Sequence, residues 1–573
     1  VAALATLLGC VASPCLPAAE PAAADGEPWW RHAVIYEIYP RSFQDSNGDG
    51  TGDLNGIAQR LDYLQQLGVD AIWIAPIYPS PQVDFGYDVS DYQAVDPQYG
   101  TLVDFDRLLT EARRRNIRVL LDMVLNHSSD QHPWFIDAAR SRDSPTHDFY
   151  VWNAGKPDAA GHPQPPNNWV SLFGGSAWEF VPAVGQFYYH RFYRQQPDLN
   201  WRNPRVEQAM FAAMRFWLDR GVAGFRLDAI TELFEDAKLR DAPVLGGTTA
   251  LGDPNLSDIY TKNLPEVHGV MRRLRAMVDR YPDHRVLIGE TYLAKTSDLD
   301  AWYGGTRHDE LQLPMDTLVG LGDRLDADTF RQHLRESQTE LHDSQPLLVF
   351  DNHDNVRSWD RFGDGVHDAQ IARIVAALLL TARDVALMYQ GQEIGQRTAT
   401  PKRVEDVRDP IGVRGWPREK GRDGERTPMQ WDTSNAQAGF STNPHTWLPV
   451  SADYRTVNVA SEAADPDSLL NWYRPLIALR RSNRALRSGR MVMLDSGNAS
   501  VLSYARVSAD GETVIVSLNM SPQPHSVSLG LAQAGVHGTH LTTLLASPGP
   551  GPEGDASRPQ TLPAYASWVA ELR

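Results

Sequence analysis

Amphipathic helical stretches and short apolar runs take turns along most of this 573-residue chain, and that alternation restricts its fold more than any other feature. GIAQRLDYLQQLG leads into VDAIWIAPI, FDRLLTEARRRN into IRVLLDMVLNH, VEQAMFAAMRFWLDRG into VAGFRLDAI, and VHGVMRRLRAMVDRYPD into RVLIGE. In the first pair Ile57, Leu61, Leu64 and Leu67 share one helical face, and Gly68 supplies the left-handed residue that ends the helix. Runs that are apolar throughout must be covered on both faces, and helical connections between them make the sheet parallel. The pattern runs from AVIYEIYP to DVALMYQGQEIG and predicts an α/β fold. No strand is followed by a GxGxxG or Walker-type turn, which weighs against an open doubly wound sheet. A closed (β/α)8 TIM barrel fits better, and 573 residues exceed the roughly 250 that one barrel needs.

The polar residues gather at the ends of the apolar runs, where such a barrel carries its active site. They are Asp88, Asp122, Asn126, His127, Arg226, Asp228, Glu290, His353 and Asp354. An isolated Arg-x-Asp more often closes a strand as a structural ion pair. Three strand-end acids, Asp228, Glu290 and Asp354, point instead to one shared pocket. Arg226 lies two residues before Asp228, on the same face of an extended strand, and is expected to keep that carboxylate ionised. Glu290 has no basic neighbour in sequence and is expected to hold its proton nearer neutral pH. One ionised and one protonated carboxyl about 5 to 5.5 Å apart is the arrangement that cleaves a glycosidic bond with retention.

The rest of the chain divides by composition. Residues 128–193 interrupt the alternation with a Pro, Asn, Gly and Trp-rich stretch, too long for a structureless loop, and are expected to form an inserted domain after strand three. The barrel then spans 27–127 and 194–485, with a long irregular loop at 390–450 overhanging the site. Beyond the helix SLLNWYRPLIALRRSNRAL, short alternating strands such as VLSYARV and TVIVSLNM predict a C-terminal all-β sandwich domain over 486–573. Residues 1–26 are rich in alanine, leucine and proline and read as an export signal, which implies a periplasmic or secreted enzyme. LLGC within that tract also reads as a lipoprotein box, which would put a lipid anchor on Cys10. Neither the tract nor any later run is long enough for a transmembrane span. A formal net charge of −18 opposes binding to nucleic acid or anionic membranes and suits a neutral ligand. Oligomeric state is left as monomer or homodimer.

After the first strand, DSNGDGTGD places Asp45, Asn47, Asp49, Thr51 and Asp53 at the odd positions of a calcium-type loop. Hard oxygen donors select Ca2+ or Mg2+ in a structural role, with no organic cofactor called for. Gly56 stands where an EF-hand has its last glutamate, so no paired EF-hand is expected, and a solvated Asx-turn is the bland alternative.

DMVLNH at 122–127, GFRLDAI at 224–230, Glu290 in LIGET and FDNHD ending at Asp354 together resemble the motifs of glycoside hydrolase family 13, the α-amylase superfamily. QPDLNW, YPRSF, the DSNGDGTGD loop and RTPMQWD are similar to its oligo-1,6-glucosidase and α-glucosidase branch. The resemblance runs from about residue 29 to the C-terminus. It implies Asp228 as nucleophile, Glu290 as general acid and base, and Asp354 as the residue that holds sugar hydroxyls in the transition state. It implies His127 and His353 as donors to glucosyl hydroxyls, Asp88 and Arg422 as closing the pocket, and Arg357 as a further binding arginine, with Phe173 and Phe192 as substrate-binding candidates. Exo action on maltose and short malto-oligosaccharides is then expected, α-1,4 favoured over α-1,6 because alanine rather than valine follows the nucleophile. A transglucosylase or isomerase of the same branch would use the same acids. An amylase-like transporter ectodomain would lack them and carry a membrane helix.

Overall fold

The computed structural model describes residues 27–341, 343–495 and 497–573; the expected export tract with Cys10 lies outside the described residues. Eight parallel strands close into a barrel: β1 (Val34–Ile38), β2 (Ala71–Ile74), β3 (Arg118–Val124), β4 (Gly224–Asp228), β5 (Val286–Gly289), β6 (Leu313–Asp316), β7 (Leu347–Val349) and β8 (Val385–Tyr389). Each pairs with its sequence neighbours, and β1 closes the ring against β8. The sixth strand is the one that the alternation does not reveal. It is four residues long, contains Pro314 and has no β-branched residue.

Alternate strand residues face the barrel axis, and their chemistry changes along it. Near the strand starts the inward layer is apolar, with Ile35, Ala71, Leu120, Val286, Ile288, Leu313, Leu347 and Val385 in one buried cluster. One or two pleats later the same faces of β1, β3 and β4 present Glu37, Asp122 and Arg226 with Asp228. The outward residues, such as Tyr36, Ile72, Leu121, Phe225 and Leu287, pack in the main core with the surrounding helices. The close spacing of β4 and β5 requires Gly224: its φ is +150°, and a Cβ there would lie 2.0 Å from the Val286 carbonyl oxygen. Ile57, Leu61, Leu64 and Leu67 are buried as expected, though the helix is broken at Arg60 into Leu54–Gln59 and Leu61–Leu67, and Gly68 caps it at φ 97°.

Between β3 and β4 lie the helix Pro133–Ala138 and an antiparallel sheet of Trp152–Asn153, Gln186–Tyr189 and Trp178–Val181. After β4 comes an exposed hairpin, Val244–Thr248 with Pro254–Leu256, that the sequence patterns do not announce. The C-terminal part is all-β: an antiparallel six-stranded sheet and the pair His525–Val527 with Gln560–Leu562. Arg506 of that sheet and Arg480 both donate to carbonyls at the end of the helix Asp368–Thr381, tying the sheet to the barrel. Among the described residues no helix is long and apolar enough to cross a membrane.

Candidate active site

Arg226 organises the mouth of the barrel. Its Nη1 lies 2.7 Å from Asp228 Oδ1 and 3.0 Å from both oxygens of Asp122, while Nη2 lies 2.5 Å from Glu290 Oε1. Inter-strand register explains the convergence. Arg226 on β4 stands beside Asp122 on β3 and Ile288 on β5, so Glu290, two residues past Ile288, arrives over the guanidinium. Glu290 therefore has an adjacent cation, contrary to the expectation from sequence, because its charge partner comes from the neighbouring strand.

The second oxygen of Glu290 is held by the backbone. Directly after the nucleophile candidate the chain turns into the left-handed region at Ala229 (φ 48°), and the Ala229 N–H donates to Glu290 Oε2 at 2.8 Å. A non-glycine residue in that conformation stores strain, which here aims an amide at the acid.

One guanidinium shared by three buried carboxyl groups does not balance them. Burial pushes Glu290 up to about 8 even though Arg226 opposes the shift. Burial also raises Asp228, to about 7, with Arg226 pulling it back. Asp122 is raised by burial to about 6, again against Arg226. Burial thus raises both Asp228 and Glu290, and the proton that the sequence reading places on Glu290 is favoured by desolvation and not by isolation from cations.

Asp354 has the opposite surroundings. Arg426 Nη2 lies 2.5 Å and Arg422 Nη1 3.2 Å from its Oδ1, and His353 Nε2 is 3.4 Å from Oδ2. Burial works against its ionisation, yet the charges of His353, Arg422 and Arg426 hold the carboxyl well below the usual range. Because burial also pushes His353 down to about 3, that ring is neutral near pH 7 and the arginines carry the effect.

The structure relocates several candidates. Asp88 is fully buried, and its carboxylate accepts from Ser80 Oγ and the amides of Val83 and Asp84, so it shapes a loop and does not close the pocket. The acid that meets Arg422 is Asp84, at 2.7 Å, with Asp409 on the guanidinium's other edge at 2.8 Å. Arg357 is also buried; it donates to the Gln390 and Glu425 carbonyls and braces the loop after β8, away from the acids. Arg426, the first residue of RTPMQWD but not among the expected binding residues, takes the place beside Asp354.

Phe173 and Phe192 pack beside Arg422 and His127. Arg422 lies 5.2 Å over the Phe173 ring, and Phe192 packs at 5.2 Å from the His127 ring and 5.4 Å from Phe173. His127 is buried and its pKa is lowered to about 3 by burial. Its nitrogens face Asn126 Oδ1, the Tyr87 carbonyl and Gln196, so protein groups already engage both.

The loop 45–53 is wound on its own side chains. Asp45 accepts the amides of Asn47, Gly48 and Gly50, Asn47 accepts that of Asp49, and Asp49 that of Thr51. Asp53 caps the helix Leu54–Gln59 through the Gly56 amide and also holds Ser46. Among the described residues no three acidic, histidine or cysteine side chains gather as a metal-holding group. The donors in this loop include an amide and a carbonyl, and their all-oxygen chemistry is that of a hard cation.

Comparison with known proteins agrees with this site. Residues 37–489 match the family model described as alpha amylase, catalytic domain. The chain is 43% identical over 507 residues to a probable alpha-glucosidase of Rhizobium meliloti (strain 1021), covering 86% of this chain and 90% of the relative. It is 36% identical over 520 residues to an oligo-1,6-glucosidase of Parageobacillus thermoglucosidasius, covering 85% and 90%. The crystal structure of the alpha-glucosyl transfer enzyme XgtA superposes with a TM-score of 0.85 at 38% identity, covering 96% of this chain and all of that one. With a barrel whose inward face ends on Asp228, Glu290 and Asp354, this chain belongs to the α-amylase superfamily, glycoside hydrolase family 13, in its oligo-1,6-glucosidase and α-glucosidase branch.

Proposed function

We propose that this enzyme is a retaining, exo-acting α-glucosidase that removes terminal non-reducing glucosyl units from maltose and short malto-oligosaccharides. The observation that carries the reading is the convergence of Asp228 and Glu290 on the single guanidinium of Arg226, which pulls Asp228 toward its ionised form, while burial raises Glu290 and favours its protonated form. Asp228 attacks the anomeric carbon as Glu290 protonates the leaving oxygen, giving a covalent glucosyl-enzyme. Glu290, now ionised, takes a proton from water, which displaces Asp228 and releases glucose with its α configuration kept. Asp354, held ionised, accepts hydrogen bonds from sugar hydroxyls. Asp84, Arg422, Phe173 and Phe192 close the far side of the glucosyl unit, which supports exo action.

Ala229 supports a preference for α-1,4 linkages, since a small side chain beside the nucleophile leaves room for that acceptor. Liberated glucose from maltose, isomaltose, maltotriose, sucrose and trehalose tests linkage, and NMR of the first-formed anomer tests retention. Predominant turnover of isomaltose, or β-glucose as first product, overturns the reading. Likeness to an α-glucosyl transfer enzyme favours a second outcome, transfer to sugar acceptors, which product analysis in concentrated maltose separates from hydrolysis.

The loop of Asp45, Asn47, Asp49, Thr51 and Asp53 is further proposed to take Ca2+ or Mg2+ structurally, with Asp53 dividing its oxygens between the cation and the helix cap. A thermal midpoint that falls on chelation and returns with added calcium is the expected result. Export to a periplasmic or external compartment is proposed from the tract 1–26.

A further inference from the structure

Glu37, on the inward face of β1, has no part in the mechanism above. It is fully buried, its Oε1 lies 2.5 Å from His353 Nδ1, and its Oε2 has no hydrogen-bond partner among the described residues. On the other side of the ring, His353 Nε2 lies 2.7 Å from the Tyr87 hydroxyl, which in turn lies 3.0 Å from Asp122 Oδ2. The ring is sandwiched, with Tyr87 and Tyr39 stacked at 5.3 Å and 5.4 Å, so it cannot turn over without unpacking both.

Counting hydrogens along this chain of contacts fixes most of them. Asp122 is gripped by Arg226 and accepts the one hydrogen of Tyr87. The Tyr87 oxygen then accepts from His353, so the hydrogen of that ring is on Nε2. Nδ1 either accepts a hydrogen from a neutral Glu37 or, in an imidazolium, donates to an anionic one. Burial disfavours an imidazolium at His353, and although Asp354 favours one, Arg426, Arg226 and Arg422 oppose it, so the ring is held neutral. A carboxylate with one oxygen buried and bare would carry a full desolvation penalty. Burial raises Glu37 well above the ordinary range, with Arg226 opposing and Asp354 and Asp122 adding to the shift.

We propose that Glu37 is a positioning residue that enters this network as a neutral carboxylic acid, donates to His353 Nδ1, and thereby holds His353 as the tautomer with its hydrogen on Nε2. That hydrogen faces Tyr87 and Asp354, the side on which a sugar hydroxyl would sit. The role rests on the functional reading above only for its kinetic consequence, since the proton positions are independent of any substrate.

Neutron diffraction from a deuterium-exchanged crystal of the full chain tests it directly. Deuterium is expected on Glu37 Oε1 and His353 Nε2 and absent from Nδ1; deuterium on both ring nitrogens, or on Nδ1 alone, overturns the proposal. Kinetics give the second arm. Glu37→Leu is expected to lower kcat/KM roughly 10- to 100-fold, the usual cost of losing a partner that orients a histidine. Glu37→Gln, whose amide N–H can donate to Nδ1, is expected to rescue most of that loss with the pH profile unmoved. A Glu37→Gln enzyme as impaired as Glu37→Leu means that a carboxylate is needed and overturns the proposal. Failure of the parent to cleave any α-glucoside would refute the functional reading and leave the neutron result standing.

Discussion

Two ends of one pocket, less than a few side chains apart, treat their carboxyl groups in opposite ways. At one end Asp122, Asp228 and Glu290 share the single cation Arg226; at the other Asp354 receives both Arg426 and Arg422, the second of which it shares with Asp84 and Asp409. All four carboxyl groups lie at the barrel mouth, yet the first three are pushed up and the last is held far down. Burial contributes to the difference, since the Asp354 side chain is 26% exposed and those of the other three at most 11%, and the two guanidinium groups that touch Asp354 add to it. Where one cation serves three buried carboxyl groups, desolvation raises all of them, which favours a proton on the general acid Glu290, while the 2.7 Å contact with Arg226 works to keep Asp228 ionised. Where two guanidinium groups converge on one partly exposed carboxyl, it is fixed as an anion that can only accept hydrogen bonds.

The largest effects should come from erasing the raised end. Asp228→Asn and Glu290→Gln are each expected to lower kcat on maltose by about 10³-fold or more, because one removes the nucleophile and the other the proton donor. Azide should restore turnover of an activated aryl glucoside in Asp228→Gly, since truncation leaves room for an external anion to attack the anomeric carbon in place of the missing carboxylate. Near-parental kcat in either variant breaks the comparison outright.

The lowered end is sharpened by Arg426→Met. One of the two cations on Asp354 is lost while the chain of side-chain packing is kept, so kcat/KM should drop by the equivalent of about 2 to 4 kcal/mol. The loss should deepen as the pH falls, because the Asp354 pKa rises toward the working range when its second guanidinium goes. A loss that is flat between acid and neutral pH would mean that Arg426 supports only the fold. Ala229→Val acts more weakly on the acid end: a β-branched residue in the left-handed region adds strain beside Glu290 and narrows the acceptor side. The ratio of maltose to isomaltose turnover should fall by about tenfold.

Much of this site is legible in the chain because barrel strands carry their polar residues in a fixed place. Arg226, Asp228, Glu290 and Asp354 each follow an apolar run, and two-sided burial makes those runs conspicuous. What escapes sequence reading lies in irregular backbone or between strands. Asp84 and Asp88 stand four apart in a loop without periodicity, so nothing along the chain says which one faces the pocket. Arg422 and Arg426 pose the same problem, and there both reach Asp354. Arg357 sits three residues past Asp354, but the chain turns into the helix Ser358–Phe362 at that point and carries the side chain behind the site. The contact of Glu290 with Arg226 depends on strand register, which no local pattern specifies.

The smallest expected effect separates desolvation from every other account of the raised end. Glu290 has an ordinary value of 4.5 and is raised to about 8 by burial in the fold. A carboxyl group whose folded pKa is raised contributes its stability below the unfolded value and loses it as the pH climbs through the folded one. The parent enzyme should therefore lose stability from this group between about pH 4.5 and 8. Glu290→Gln keeps the shape of the protonated acid and cannot ionise, so it should escape that loss. The variant is expected to melt about 1 to 4 °C above the parent at pH 8, with the gain shrinking to nothing near pH 4.5. Calorimetry across that range decides the matter: a gain equal at both ends of the window would show that Glu290 is not the titrating burden, and desolvation would no longer explain why the two ends differ.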